Sequence, residues 1–148
     1  MKMNHVGISV SNIETTIAFY RDMFGMEEMV PVFPFEGPDF SAIMGVENAQ
    51  GRMTMMSKGD VRLELFEFAN PAPTPRDPRY PVSDHGYSHF GFDVEDIDAV
   101  YERLMAAGVP VHCPVVQFAG GIRAIYARDP DGYVFEVLEM PKAAQPPV

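Results

Sequence analysis

The chain has no tryptophan, a single cysteine and only 11 Lys and Arg against 21 Asp and Glu. Each shortage excludes something. With Cys113 alone, an internal disulfide is ruled out, and the chain suits a reducing compartment. A formal net charge of -10 excludes nucleic acid and anionic membrane surfaces, which require clustered cations. No apolar run approaches the roughly 20 residues of a membrane-spanning helix. The first residues lack a basic start followed by an apolar stretch, so no signal peptide is expected. A cytoplasmic location is the simplest expectation. The 148 residues, 47% hydrophobic, suffice for one domain or two small modules with a real core.

What the chain does have is an internal repeat. His5-Val6-Gly7-Ile8-Ser9-Val10 is matched by His89-Phe90-Gly91-Phe92-Asp93-Val94. Leu63-Glu64-Leu65-Phe66-Glu67 is matched by Phe135-Glu136-Val137-Leu138-Glu139. Self-similarity of this kind marks a repeated supersecondary unit.

Periodicity gives each half the same plan. Alternation predicts strands over 5–10 and 89–94. Ile13, Ile17, Tyr20 and Phe24 recur at helical spacing, with Ser11 and Glu14 fitting a capping box and Gly25 as the stop. Ile97, Val100, Tyr101 and Leu104 predict a second helix over 96–107. Further strands are expected over 27–33, 52–57, 61–68, 111–118, 122–127 and 133–139, with Asp129-Pro130-Asp131-Gly132 as a turn. The expected organisation is a first strand–helix–strand–strand–strand module over 1–70 and a Pro-rich connection over 71–84. A second module follows over 85–140, then a disordered tail over 141–148. Tyr80, Arg76 and Arg79 in the connection are candidates for a lid.

Strand parity places the repeated polar residues. His5 shares a face with Gly7 and Ser9, and His89 with Gly91 and Asp93, opposite the apolar neighbours that pack inward. Glu64 lies opposite Leu63 and Leu65. Glu136 sits in an apolar strand, where an uncompensated carboxylate is costly and a cation is a usual compensation. Two imidazoles and two carboxylates at matched positions point to a divalent metal site of His5, Glu64, His89 and Glu136. The donors suit Zn, Ni, Co, Mn or Fe. His85, four residues before His89, is a candidate for substrate contact if its strand extends that far. Arg123 is a candidate to hold a substrate anion, Tyr126 lies nearby, and Phe66, with Phe33, Phe35 and Phe40, is a candidate apolar wall. His112 and Cys113 are expected to face opposite ways on one strand.

At these residues, and at Asp129-Pro130-Asp131-Gly132-Tyr133-Val134-Phe135-Glu136, the chain resembles the vicinal oxygen chelate superfamily of glyoxalases, bleomycin-resistance proteins and extradiol dioxygenases. The resemblance runs from His5 to about Met140. It implies an α+β fold of two paired βαβββ modules, whose curved, mostly antiparallel sheet surrounds a metal cleft. It implies His5, Glu64, His89 and Glu136 as metal ligands, and Glu136, then Glu64, as the catalytic base. The implied function is a metal-dependent lyase or isomerase of glyoxalase or epimerase type. Such an enzyme moves a proton next to a carbonyl through a stabilised enediolate or enolate, on a small substrate with vicinal oxygens. A homodimer is expected. The other readings are a small extradiol-type dioxygenase and a non-enzymatic small-molecule-binding protein. Two positions depart from family patterns. Ser9 stands where short bacterial glyoxalases place a basic residue for glutathione, and Ala49 stands where epimerases place a Glu before Gln50-Gly51.

Overall fold

The structure is a computed structural model, and residues 2–141 are described. The chain divides into two compact units, Met1–Arg76 and Asp77–Val148, with the break inside the Pro-rich connection. The expected tail falls almost wholly on 142–148, outside the described residues.

The first unit runs β1 (Val6–Ser9), α1 (Ile13–Phe24), β2 (Glu27–Glu28), β3 (Phe33–Phe35), α2 (Pro38–Met44), β4 (Gln50–Lys58) and β5 (Val61–Asn70). Its sheet has the order β1-β5-β4-β2, with β3 also on β4. The second unit runs β6 (Phe90–Asp93), α3 (Ile97–Ala106), β7 (Val116–Gln117), β8 (Arg123–Arg128) and β9 (Val134–Glu139), with sheet order β6-β9-β8-β7. Both units are therefore mixed α+β layers. In each, the first strand pairs in parallel with the last, and the remaining pairs are antiparallel. A parallel pair requires a crossover, which here includes the helix. Among the described residues no helix is long and apolar enough to cross a membrane.

The helices bury the expected stripes. Ile13, Thr16, Ile17, Tyr20 and Met23 of α1 are buried, as are Ile97, Val100 and Leu104 of α3. They cover the sheet faces that carry Ile8, Leu63 and Leu65 in one unit and Phe92, Phe135 and Val137 in the other, all buried. The capping box expected at Ser11 is instead an Asn12 cap, whose side chain accepts from Thr15 N at 2.8 Å. Glu14 has a different partner, the guanidinium of Arg52.

A carboxylate from the last strand secures each helix. Glu67 Oε2 accepts from Ile13 N at 2.7 Å, and Glu139 Oε2 accepts from Ile97 N at 2.8 Å. Both stand at the positive end of a helix, where an anion is favoured. Each is gripped across the sheet by an arginine: Arg52 for Glu67 and Arg123 for Glu139.

Two strand expectations are corrected. The strand foreseen over 27–33 is split into β2 and β3, because residues 29–32, with Pro31 among them, stand against only Thr54 and Met55 of β4 and interrupt the ladder. The helix α2, started at Pro38 with a glycine on both sides, had no sequence expectation. The strand foreseen over 111–118 shrinks to β7 and a lone bridge from Val111 to Ala127.

The Pro-rich connection is no free lid at Tyr80, which is buried in the second unit. Arg128 donates to the carbonyls of Pro78, Tyr80 and Gly132, and its guanidinium lies 5.1 Å from the Tyr80 ring centroid. The expected turn is present: Asp129 Oδ1 accepts from Asp131 N and Tyr133 N, and Gly132 takes φ +84°. A Cβ on Gly132 would come within 2.4 Å of Pro78 Cα. Gly132→Ala is therefore expected to lower stability by about 2 kcal/mol or more, from strain and displaced backbone together. Denaturant unfolding checks this, and an unchanged midpoint would show that residues 77–80 do not seal the turn.

Candidate metal centre

In the first unit, His5 lies at the entry to β1, two residues before Gly7. Gly7 is paired with Glu64 in the parallel ladder. His5 Nε2 is 3.2 Å from Glu64 Oε2. The other ring nitrogen, Nδ1, is 2.9 Å from Asn4 Oδ1. A Cβ on Gly7 would sit 3.7 Å from Glu64 Oε2 and 3.8 Å from Phe66 Cε2. Glycine thus keeps the space beside the carboxylate open.

The second unit repeats this arrangement. His89 precedes β6, and Gly91 is paired with Glu136. His89 Nε2 is 3.5 Å from Glu136 Oε2, and Nδ1 is 3.0 Å from Ser88 Oγ. A Cβ on Gly91 would sit 3.6 Å from Glu136 Oε2. One feature is added. The Tyr126 hydroxyl lies 3.2 Å from His89 Nε2, with the two rings 4.7 Å apart. Burial, and then the Glu136 carboxylate beside it, push the Tyr126 hydroxyl pKa above its ordinary value. It is a proton-bearing donor at neutral pH.

The donor chemistry fits a divalent cation. The Asn4 amide oxygen can accept from His5 Nδ1, which leaves Nε2 toward the Glu64 carboxylate. An imidazole nitrogen and a carboxylate oxygen 3.2 Å apart are a donor pair that a cation can join. A polar neighbour on one ring nitrogen, orienting the other, is the usual support of a metal-bound histidine. All four side chains keep some solvent access, at 37% and 19% exposure for His5 and Glu64, and 28% and 19% for His89 and Glu136. Among the described residues no three His, Cys, Asp or Glu side chains gather as one metal cage. The structure presents two pairs, one in each unit.

The remaining candidates divide. Tyr126 touches the second pair. Phe66 shares the face of Glu64, beside Gly7, and packs on Phe35 and Phe68 with centroids 5.6 and 6.1 Å apart. His85 lies exposed in a bend, short of β6, so it has no strand face to share with His89. Arg123 is corrected outright. It stands opposite Glu139 in the β8–β9 ladder, an odd number of residues from Tyr126 and hence on the other face. There it donates to Asp98 at 2.6 Å and reaches Glu139 at 3.5 Å, holding the Asp98 carboxyl below its usual pKa range.

Sequence reasoning missed a recess in the second unit. It has a volume of about 280 Å³ and is lined by His112, Cys113, Val116, Phe118, Tyr126 and Glu136 among others. His112 and Cys113 had been expected on opposite faces of a strand. They lie on irregular backbone, where strand parity does not hold, and both line the recess.

Comparison with known proteins agrees with this layout. The family model described as Glyoxalase/Bleomycin resistance protein/Dioxygenase superfamily matches residues 2–137. The chain belongs to that superfamily. It is 29% identical over 140 residues to Metallothiol transferase FosB of Shouchella clausii, covering 91% of this chain and 77% of the relative. It is 26% identical over 145 residues to Lactoylglutathione lyase of Haemophilus influenzae, covering 94% and 93%. A crystal structure of a glyoxalase family protein from Bacillus cereus matches with a TM-score of 0.84 at 30% identity, covering 94% of this chain and 93% of that one.

Arg123 therefore serves the helix anchor. Arg123→Ala is expected to lower the melting temperature while leaving metal uptake unchanged. Unchanged melting with lost metal uptake would return Arg123 to the site.

Proposed function

We propose that the protein is a divalent-metal-dependent lyase or isomerase that moves a proton next to a carbonyl, and that His5, Glu64, His89 and Glu136 hold its ion. One observation carries this reading. Two units that differ in most side chains both keep a His nitrogen within 3.5 Å of a Glu oxygen, with a glycine leaving space beside it. The relatives named as a lyase and a metallothiol transferase support metal-assisted chemistry on a small molecule. The group sought is a divalent ion, and held by two imidazoles and two carboxylates it supplies Lewis acidity to a pair of substrate oxygens.

The chain's own groups supply the rest. Glu136 is the stronger candidate for the base, because its carboxylate lines an open recess where a substrate carbon can reach it. Glu64 is the second candidate. Its neighbour Phe66 belongs to an aromatic cluster that narrows the approach. The Tyr126 hydroxyl, close to both His89 and Glu136, is placed to donate to a substrate oxygen as charge develops on it. Ser9 lies exposed on the face of His5 and brings no positive charge for a glutathione carboxylate. That favours another substrate over a glutathione adduct. A homodimer is part of the proposal.

Purified protein is expected to hold one divalent ion per chain. His5→Ala and Glu136→Ala should each lose that ion while keeping their melting temperatures within a few degrees. Retention of the full complement in either variant would remove that residue from the ligand set. Mixing His5→Ala with His89→Ala chains reports whether each ion draws on one chain or two: recovery of bound metal means two. Metal-dependent exchange of a carbonyl-adjacent proton in deuterated water supports the proton-transfer reading. Iron with oxygen uptake on catechols replaces it with ring cleavage. Tight ligand binding without metal-dependent turnover replaces it with sequestration.

A further inference from the structure

We propose that the recess of the second unit receives a neutral apolar group, an aryl ring or short alkyl chain, carried by the substrate whose oxygens meet Tyr126 and Glu136. This rests on the functional reading above for the reaction, and on the recess alone for the binding. Cys113, Val116, Phe118 and Ala124 form its apolar wall, while Tyr126 and Glu136 supply its polar edge. Val116 and Phe118 are 41% and 54% exposed, a pair of large apolar side chains that folding leaves in water. Neither Lys nor Arg lines the recess, and its one acidic lining residue is Glu136. In the metal-free protein an anionic group placed there would meet the Glu136 carboxylate with no lysine or arginine beside it, and His112, the other titratable lining residue, has its pKa pushed down by burial.

Size narrows the occupant further. A volume of about 280 Å³ is at or below the lower limit of ordinary ligand pockets, roughly 300 Å³. It suits a single ring. The polar edge sets the direction. Tyr126 is the residue in contact with His89, so the end of the ligand that reaches it arrives beside the His–Glu pair.

The single cysteine makes the recess readable, since Cys113 is exposed and lies in its wall. Alkylation of Cys113 by iodoacetamide is measured on the full chain, with and without a chelator, in the presence of acetophenone or of benzoate. These two probes match in size and differ in charge. Acetophenone is expected to slow alkylation at least fivefold at saturation in both metal states, and benzoate to leave it within twofold in the chelated protein, where no cation offsets Glu136. Val116→Asp, or Phe118→Asp if the first variant folds poorly by circular dichroism, should abolish the protection. No effect of acetophenone, equal protection by benzoate, or protection surviving both variants would overturn the inference. So would slowing that depends on protein concentration alone, which assigns the recess to a second copy of the chain. Failure of metal loading with protection intact would sink the proposed reaction and leave this binding site standing.

Discussion

The parallel pairing of the first and last strand of each unit is the constraint on which the rest depends. It sets Gly7 against Glu64 and Gly91 against Glu136 in the same register. A slip of one residue would turn every side chain of the strand to the other face. His5 and His89 would then point into the layer between sheet and helix, and the glutamates would be buried among leucine, valine and phenylalanine. The glycine leaves room beside the carboxylate, where a Cβ would stand in ordinary van der Waals contact with it.

The register is held by the other glutamate of the same strand. Glu64 and Glu67 are three residues apart, as are Glu136 and Glu139, so in a strand they face opposite ways. Glu64 and Glu136 meet the histidines. Glu67 and Glu139 reach the other layer, accept from the first turn of the helix and meet an arginine from the neighbouring strand. Helix position and ligand position are thereby fixed by one stretch of backbone. This accounts for Arg52 and Arg123, which occupy equivalent places and carry the same duty although one had been read as a substrate group. Exposed ion pairs contribute little by themselves. Here the carboxylate partner also satisfies a helix N–H that has no partner within the helix, and that directional bond is what the pair adds.

The repeat was legible because alternation and helical spacing survive in both copies, and because His and Glu recur where a strand places them on one face. The second glutamate recurred just as plainly, but its use depended on a helix terminus coming within reach, which spacing alone does not show. Asn4 and Ser88 were missed for a similar reason: each precedes its histidine, and its value lies in a hydrogen bond to the ring. Asn12 displaced Ser11 as the cap because helix boundaries shift by a residue without disturbing the apolar stripe. Parity reasoning failed for His112 and Cys113 because the chain leaves the ladder after Val111 and rejoins it only at β7. Arg123 was read as an anion holder, although counting from Glu136 across the hairpin gives its face.

The two halves agree in their polar residues and differ in what surrounds them, and that difference gives the site its direction. Opposite Glu64 in the antiparallel ladder stands Met55, and opposite Glu136 stands Tyr126. Beyond Glu64 the face is filled: Phe35 is buried among Phe40, Phe66 and Phe68, and α2 contributes Phe40 and Met44 as cover. Beyond Glu136 there is no counterpart of α2 among the described residues, and the face remains open as the recess. A duplicated unit with identical walls would treat both ends of a ligand alike. In the proposed reaction, tyrosine in place of methionine at one matched position and the open recess beside Glu136 are what would give the two equivalent carboxylates unequal roles.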